Sequence, residues 1–396
     1  MTDGQFSAAD SALGYLYQCR LALLWALERL RQDQDFLLSI ETLDDVVFED
    51  KNTDAATLLQ TKHHRRRAAN LTDASEDLWK TLRIWSEHKK AGRLLPSAAL
   101  VLVTTAQVGA SAAVSYLRMQ NRDADRALSI LLNTARTSGS KANKDAYKAF
   151  LALDAEAQKS LLRAVVVLDA SPGIAAVQDA IRAEVRWAAD QAHRDAFVSR
   201  LEGWWFGRVV RHLQTTGDRP PVLSEEIDAH MSVLREQFKT DSLPIDSDLP
   251  RPDPSKFGDA AFVAQLRLID VGDNRILTAI ADFHRAFVQR SRWIRDDLLL
   301  VGELDRYEDR LIEAWKIKFD RMAEDLGREA TEKEKVKFAR RVYEWIEDSL
   351  LPIRPRISEG FVCRGSFHML ADKLRVGWHV DFVDRLRHLL EPGRDA

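Results

Sequence analysis

Asp44-Asp45-Val46-Val47-Phe48-Glu49 and, further on, Thr57-Leu58-Leu59-Gln60-Thr61-Lys62 are the two stretches whose reading decides the fold. Both are short, apolar in the middle and polar at an end, as half-buried strands are, and Leu37 to Glu41 reads as a third such run just ahead of them. Between the first two lies Asp50-Lys51-Asn52-Thr53-Asp54, where Asn and Asp supply the side chains that turn a chain. The expected result is a hairpin with Asp45 beside Gln60 and Lys62. Side chains at i and i+2 share a face, so Gln60 and Lys62 project together while Leu59 and Thr61 face away. By the same alternation Asp44 and Asp45 fall on opposite faces. Asp45 is the better candidate because it opens the apolar Val46-Val47-Phe48 run.

These residue types suit metal-assisted phosphodiester chemistry. The Asp45 carboxylate is a hard oxygen ligand for Mg²⁺ or Mn²⁺, and Mg²⁺ takes only one or two protein carboxylates while keeping several waters. The side-chain carbonyl of Gln60 and the backbone carbonyl of Thr61 are neutral ligands of the same hardness. Lys62 can stabilise negative charge developing at phosphorus or help orient a metal-activated water. His63-His64-Arg65-Arg66-Arg67 follows directly, and its cationic groups suit the phosphates that flank a scissile bond. Each feature also has a plainer reading. The hairpin would be an ordinary amphipathic one with solvated charges, and the arginines would be a solvated loop.

The order of the motifs extends the pattern. Gly14-Tyr15-Leu16-Tyr17-Gln18, then Ile40-Glu41 through Asp44-Asp45-Val46, then Gln60-Thr61-Lys62-His63 resembles the PD-(D/E)XK nuclease superfamily in its variant with Gln in place of the second acid. More narrowly it is similar to an effector nuclease domain of CBASS, Lamassu and ABC-three-component anti-phage systems. The resemblance implies a restriction-endonuclease-like α/β domain that cuts double-stranded DNA with Mg²⁺. Asp45, Gln60 and Lys62 would be its catalytic set, with Gln18, Glu41 and Asp44 as secondary candidates. Many members of the superfamily carry a Glu on the first helix, where this chain has Gln18.

Composition bounds the rest. With 396 residues, 45% hydrophobic and 30% charged, the chain has the size for two domains and the make-up of a globular protein. A net charge of −3 rules out a general basic coat, so DNA contact would be local. Cys19 and Cys363 are the only cysteines, which fits a reducing compartment and excludes a cysteine-based zinc site. The N-terminus lacks a signal-peptide pattern, and no apolar run approaches the roughly 18–20 residues needed to span a bilayer. The expectation is a cytoplasmic protein.

Along the chain, Ala8 to Arg31 reads as a helix. Leu71 to Lys90 reads as another, with Thr72 or Asp73 to cap it. Ala98 to Thr105 and Ala164 to Asp169 read as buried strands, separated by a helical insertion broken at Ser138-Gly139-Ser140-Lys141. Six of the eleven prolines fall between Pro220 and Pro254. The expected division is therefore a nuclease domain over 1–216, a proline-rich linker or strap over 217–256, and a helical partner-binding domain over 257–396. In the last part Thr331-Glu332-Lys333-Glu334 has the form of a capping box. Gln265-Leu266, Gln289 to Trp293, Val362 to Asp372 and Val376-Gly377-Trp378-His379 resemble the C-terminal module of ABC-three-component proteins. That resemblance implies partners: an SMC-like or Rad50-like ATPase, a small accessory subunit, and a homo-oligomer in the active state. His368 and His379 have no Cys or acidic companion at ligand spacing and read as packed histidines.

Overall fold

The computed structural model describes residues 8–63, 70–215, 219–327 and 329–390. It divides into two units, Met1–Val233 and Leu234–Ala396. In the first, a long helix α1 (Ala8–Arg31) precedes a meander of β1 (Phe36–Ile40), β2 (Val46–Asp50) and β3 (Ala56–Lys62). Then come β4 (Asn70–Leu71), α2 (Glu76–Lys90), β5 (Ala99–Thr104) and β6 (Gln107–Val108). They are followed by α3 (Ala124–Thr137), α4 (Lys144–Leu151), α5 (Ala155–Ala164), β7 (Val165–Leu168), α6 (Ile174–Glu184) and α7 (Arg194–Gln214). The unit closes with β8 (Val222–Leu223) and most of α8 (Ser224–Gln237).

Six strands form a mixed sheet in the order β7-β5-β3-β2-β1-β8. β2 pairs with β1 and β3 antiparallel, whereas β3, β5 and β7 run parallel. The β2–β3 turn forms where the polar run predicted it. The Asp50 carboxylate accepts the N–H groups of Asn52 and Thr53 at 2.8 Å each, and Asp50 N–H donates to Ala55 O at 2.9 Å. On one face of the sheet Val47, Leu58, Leu100, Leu102 and Val165 pack with Trp79, Leu82 and Trp85 of α2 in one buried cluster. Burying one such side chain contributes about 1.5–3 kcal/mol, so this layer is what fixes the register of β3.

Two expectations need correction here. Helix α2 starts at Glu76, not near Leu71, because Asn70 and Leu71 pair with Gln107 and Val108 as a small separate sheet. Neither Thr72 nor Asp73 caps it: Asp73 Oδ1 instead accepts Ala113 N–H at 2.6 Å. The proline-rich interval is also not all linker. Val222 and Leu223 pair with Leu38 and Leu37 as an edge strand, and α8 follows at once, so the boundary between units falls inside that helix.

The second unit is helical: α9 (Ala261–Leu268), α10 (Asp273–Arg295), α11 (Glu303–Leu326), α12 (Glu332–Asp348), α13 (Gly360–Asp372) and α14 (Phe382–Leu386). The capping box at Thr331 and Glu334 forms as its sequence predicts, and Gly327 ends α11 at φ +76°. Residues 240–253 cross this unit as an ordered strap. Pro244 O accepts Trp293 Nε1 at 2.7 Å and Gln289 Nε2 at 3.2 Å, and Asp246 N–H donates to Gln289 Oε1 at 2.9 Å.

His368 and His379 are both buried in this unit. His368 lies among Phe262, Tyr343 and Trp378, with ring centroids 5.6–6.1 Å away. His379 Nδ1 accepts Asp381 N–H at 3.1 Å. Burial holds His368 far below the usual imidazole range, at about 3. The unfolded chain therefore takes up a proton near pH 6.5 that the folded unit refuses, and stability falls as pH drops from about 6.5 toward 3. Urea unfolding across that range is expected to lose up to about 1.4 kcal/mol per pH unit from this residue. His368→Gln should flatten that slope.

Candidate metal and nuclease site

The site is built where α1, the bend between β1 and β2, and the end of β3 converge. The pairing of Val46 with Leu59 carries the ladder on to Asp45 opposite Gln60, as the hairpin predicted. Asp45 itself lies in the bend just before β2, so strand alternation does not govern it or Asp44. Its Oδ1 accepts the Gln60 side-chain amide, and its Oδ2 accepts Thr61 N–H at 2.7 Å and Thr61 Oγ1 at 2.9 Å. The carboxylate thus replaces a ladder acceptor for Thr61. Gln60 is 3% exposed, and its Oε1 is buried with no hydrogen-bond partner. Lys62 is two residues along β3 and half-buried.

Gln18 reaches the site through its amide nitrogen, which donates to Asp45 O at 2.5 Å and to Glu41 Oε1 at 3.1 Å, so the helix clamps the bend. Glu41 is exposed, adopts φ +52°, and donates its N–H to Asp45 O at 3.0 Å. Both secondary candidates are therefore brought to the site, but as scaffold for the bend. Asp44 is buried: its Oδ2 accepts Trp85 Nε1 at 2.6 Å and its Oδ1 accepts Asp45 N–H at 3.1 Å. Burial raises its pKa to about 7, against the lowering effect of the indole hydrogen bond, and the charge of Lys62 also lowers it. Sequence reasoning missed this anchoring role, since Trp85 is 41 residues away.

His63 continues β3 and its ring lies 4.9 Å from that of buried Tyr17. His64, Arg65, Arg66 and Arg67 lie outside the described residues. Beyond His63 opens a cleft of 710 Å³ at the carboxyl ends of β3, β5 and β7, reaching Thr105, Ser171 and the start of α6. Ligands of open α/β sheets bind at such strand ends.

The donors at Asp45 fit a hard divalent cation. A carboxylate, a side-chain amide oxygen and the Thr61 carbonyl are all oxygen ligands, and the unpartnered Gln60 Oε1 is a buried acceptor lacking a donor. Turning the Gln60 amide by half exchanges its nitrogen for that oxygen at the same place. Among the described residues no three His, Cys, Asp or Glu side chains cluster as a metal site, so any cation here relies on the amide and carbonyl oxygens.

Comparison with known proteins bears mainly on the second unit. Residues 262–386 match the family described as C-terminal domain 7 of the ABC-three component (ABC-3C) systems. This region coincides with the helices α9 to α14. No curated protein matches the chain. Among solved structures, the chain is similar to the Acinetobacter baumannii Cap4 SAVED/CARF-domain containing receptor, at 12% identity and TM-score 0.33 over 72% of this chain and 61% of that one. The same receptor with the cyclic trinucleotide 2'3'3'-cAAA gives 13% identity and TM-score 0.33, over 72% of this chain and 59% of that one. The Moraxella osloensis Cap4 receptor gives 12% and 0.34, over 72% and 69%. The chain thus spans about three fifths of the length of the Acinetobacter receptor. No described helix is long and apolar enough to cross a membrane.

Proposed function

We propose that the first unit is a Mg²⁺-dependent endonuclease acting on double-stranded DNA, the effector of an ABC-three-component anti-phage complex. The observation that carries this reading is the contact of Asp45, in the bend before β2, with Gln60 on β3, with Gln60 Oε1 left unpartnered and Lys62 two residues along the same strand. Asp45, Gln60 and the Thr61 carbonyl would hold the cation. When bound, it would lower the pKa of a coordinated water and neutralise charge on the phosphate. The attacking water gives up a proton to solvent as its oxygen bonds to phosphorus, one P–O ester bond breaks, and the leaving oxygen takes up a proton from solvent. Lys62 stabilises the negative charge that develops on the phosphoryl oxygens. The DNA backbone runs from this point into the cleft beyond His63.

The match of residues 262–386 supports a role for the second unit in binding the other components. In line with the sequence resemblance, these are an SMC-like or Rad50-like ATPase and a small accessory subunit. They keep the nuclease restrained until self-association brings sites together on DNA. This sequence contains no Gly-x-x-x-x-Gly-Lys-Ser/Thr phosphate loop.

The test is plasmid cleavage by purified protein with Mg²⁺ across a protein concentration series. Activity that rises steeply with concentration and disappears in Asp45→Ala supports the reading. Activity unchanged by that substitution sinks it. A second reading, a non-catalytic adaptor with a degenerate nuclease fold, draws on one observation: Gln18 spends its amide on Asp45 O and Glu41, so α1 contributes no acid to the site. It predicts that Asp45→Ala protects cells from phage as well as wild type does.

A further inference from the structure

The bend that carries Asp45 is held from two sides, and only one of them is α1. On the other side, Ile40 N–H donates to His212 Nε2 at 3.3 Å, and His212 Nδ1 lies 3.0 Å from Pro220 O. Because Nε2 accepts, the ring proton sits on Nδ1 and is donated to Pro220 O. Arg219 reaches from the same segment, with one NH1 hydrogen bond to Glu41 O at 3.1 Å and a second from Nε to Thr215 O at 3.2 Å. His212 is 1% exposed. These contacts bracket Glu41, whose φ of +52° is costly for a side chain with a Cβ and persists only where its surroundings enforce it.

We infer that Arg219 and His212 are positioning residues for the cation site, and that the seating of β8 on the sheet sets the affinity of Asp45 for a divalent metal. The inference rests on the nuclease reading above and adds its regulation. The mechanical reason is register. Val222 pairs with Leu38, which puts Pro220 and Arg219 alongside Ile40 and Glu41. β8 has only two residues at the sheet edge, the weakest kind of pairing, and it runs straight into α8, in which the division between the units lies. If β8 leaves the edge, the clamp on the Glu41 carbonyl goes with it. Glu41 then relaxes from positive φ, and Asp45 O loses the Glu41 N–H that fixes the turn. Asp45 and Gln60 stay in the chain but no longer face one another. A cation site would thereby be opened or closed through the chain segment leading to the second unit.

The experiment uses the full chain and Mn²⁺ as probe, with free Mn²⁺ read by electron paramagnetic resonance and folding by thermal unfolding. Wild type, Asp45→Ala, Arg219→Ala and Arg219→Lys are compared. Outer groups that orient ligands are worth about 10- to 100-fold in metal affinity, so Arg219→Ala should weaken Mn²⁺ binding at least about 10-fold with the folded fraction unchanged. Arg219→Lys should recover part of it, because an ammonium can serve the Glu41 carbonyl but not bridge to Thr215. If Asp45→Ala abolishes binding and Arg219→Ala binds as wild type does, the clamp is wrong and the nuclease reading survives. If wild type binds no more Mn²⁺ than Asp45→Ala, both fall. A loss that tracks unfolding in both Arg219 variants also overturns the clamp.

Discussion

Lys62→Ala is expected to lower Mg²⁺-dependent DNA cleavage by about a hundredfold to a thousandfold, the range typical of removing one preorganised charge-stabilising donor. The side chain lies on the face of β3 that carries Gln60, at the strand end where the cleft begins. It is half-buried, so its removal leaves the packing of β3 against β5 in place, and the unfolding midpoint should move little. Asp45→Ala should be as damaging to cleavage but costlier to the fold. That carboxylate accepts Thr61 N–H, Thr61 Oγ1 and the Gln60 amide. Leaving such buried donors unsatisfied costs about 1–3 kcal/mol. Single-turnover cleavage with the protein in excess separates the two effects. A Lys62→Ala protein that cuts at the wild-type rate would remove Lys62 from the chemistry.

Much of this site was legible because its parts are local. The polar run Asp50 to Asp54 specifies the turn, and the turn sets Asp45 against Gln60. The helices of the second unit carry their own punctuation, such as the Thr331 capping box and Gly327. The missing parts depend on partners distant in sequence. Asp44 was a secondary site candidate whose hydrogen bond from Trp85 of α2 no local pattern shows, and the contact of the Gln18 amide with Asp45 O is equally long-range. β8 could not be read at all. Two residues after Pro220-Pro221 show no periodicity, and only the open edge of β1 makes Val222 and Leu223 a strand. The same short edge strand moved the unit boundary from the prolines into α8.

The largest effect on stability is expected at Gly365, in the middle of α13. Ala is ordinarily the better helix residue by about 1 kcal/mol, so Gly365→Ala would stabilise an exposed helix. Here the added methyl would collide with the backbone carbonyl of Asp282 and with Ala286 Cβ, both on α10. A carbonyl within a helix cannot swing away as a side-chain tip can, so the two helices must separate along their shared contact. That contact also aligns Arg364 with Asp282 at 2.6 Å, a pair whose loss would strand the buried Asp282 charge, and Arg290 with Ser366 Oγ at 3.3 Å. Overpacking of this kind costs roughly 1–3 kcal/mol where the core can adjust, and a backbone contact puts Gly365→Ala at or above the top of that range. The unfolding midpoint of the second unit should fall by roughly 5–10 °C. Gly360 provides the control within the same helix. Its nearest obstacle is the Arg364 guanidinium, a side-chain end that can shift but is held on Asp282, so Gly360→Ala should cost clearly less than Gly365→Ala. Gly203 in α7 has nothing within 4 Å, and Gly203→Ala should raise stability by up to about 1 kcal/mol. Thermal unfolding of the three variants side by side decides whether close backbone approach or intrinsic helix preference governs each position. Equal midpoints for Gly365→Ala and Gly360→Ala would mean that α10 and α13 do not meet at Gly365 as closely as described.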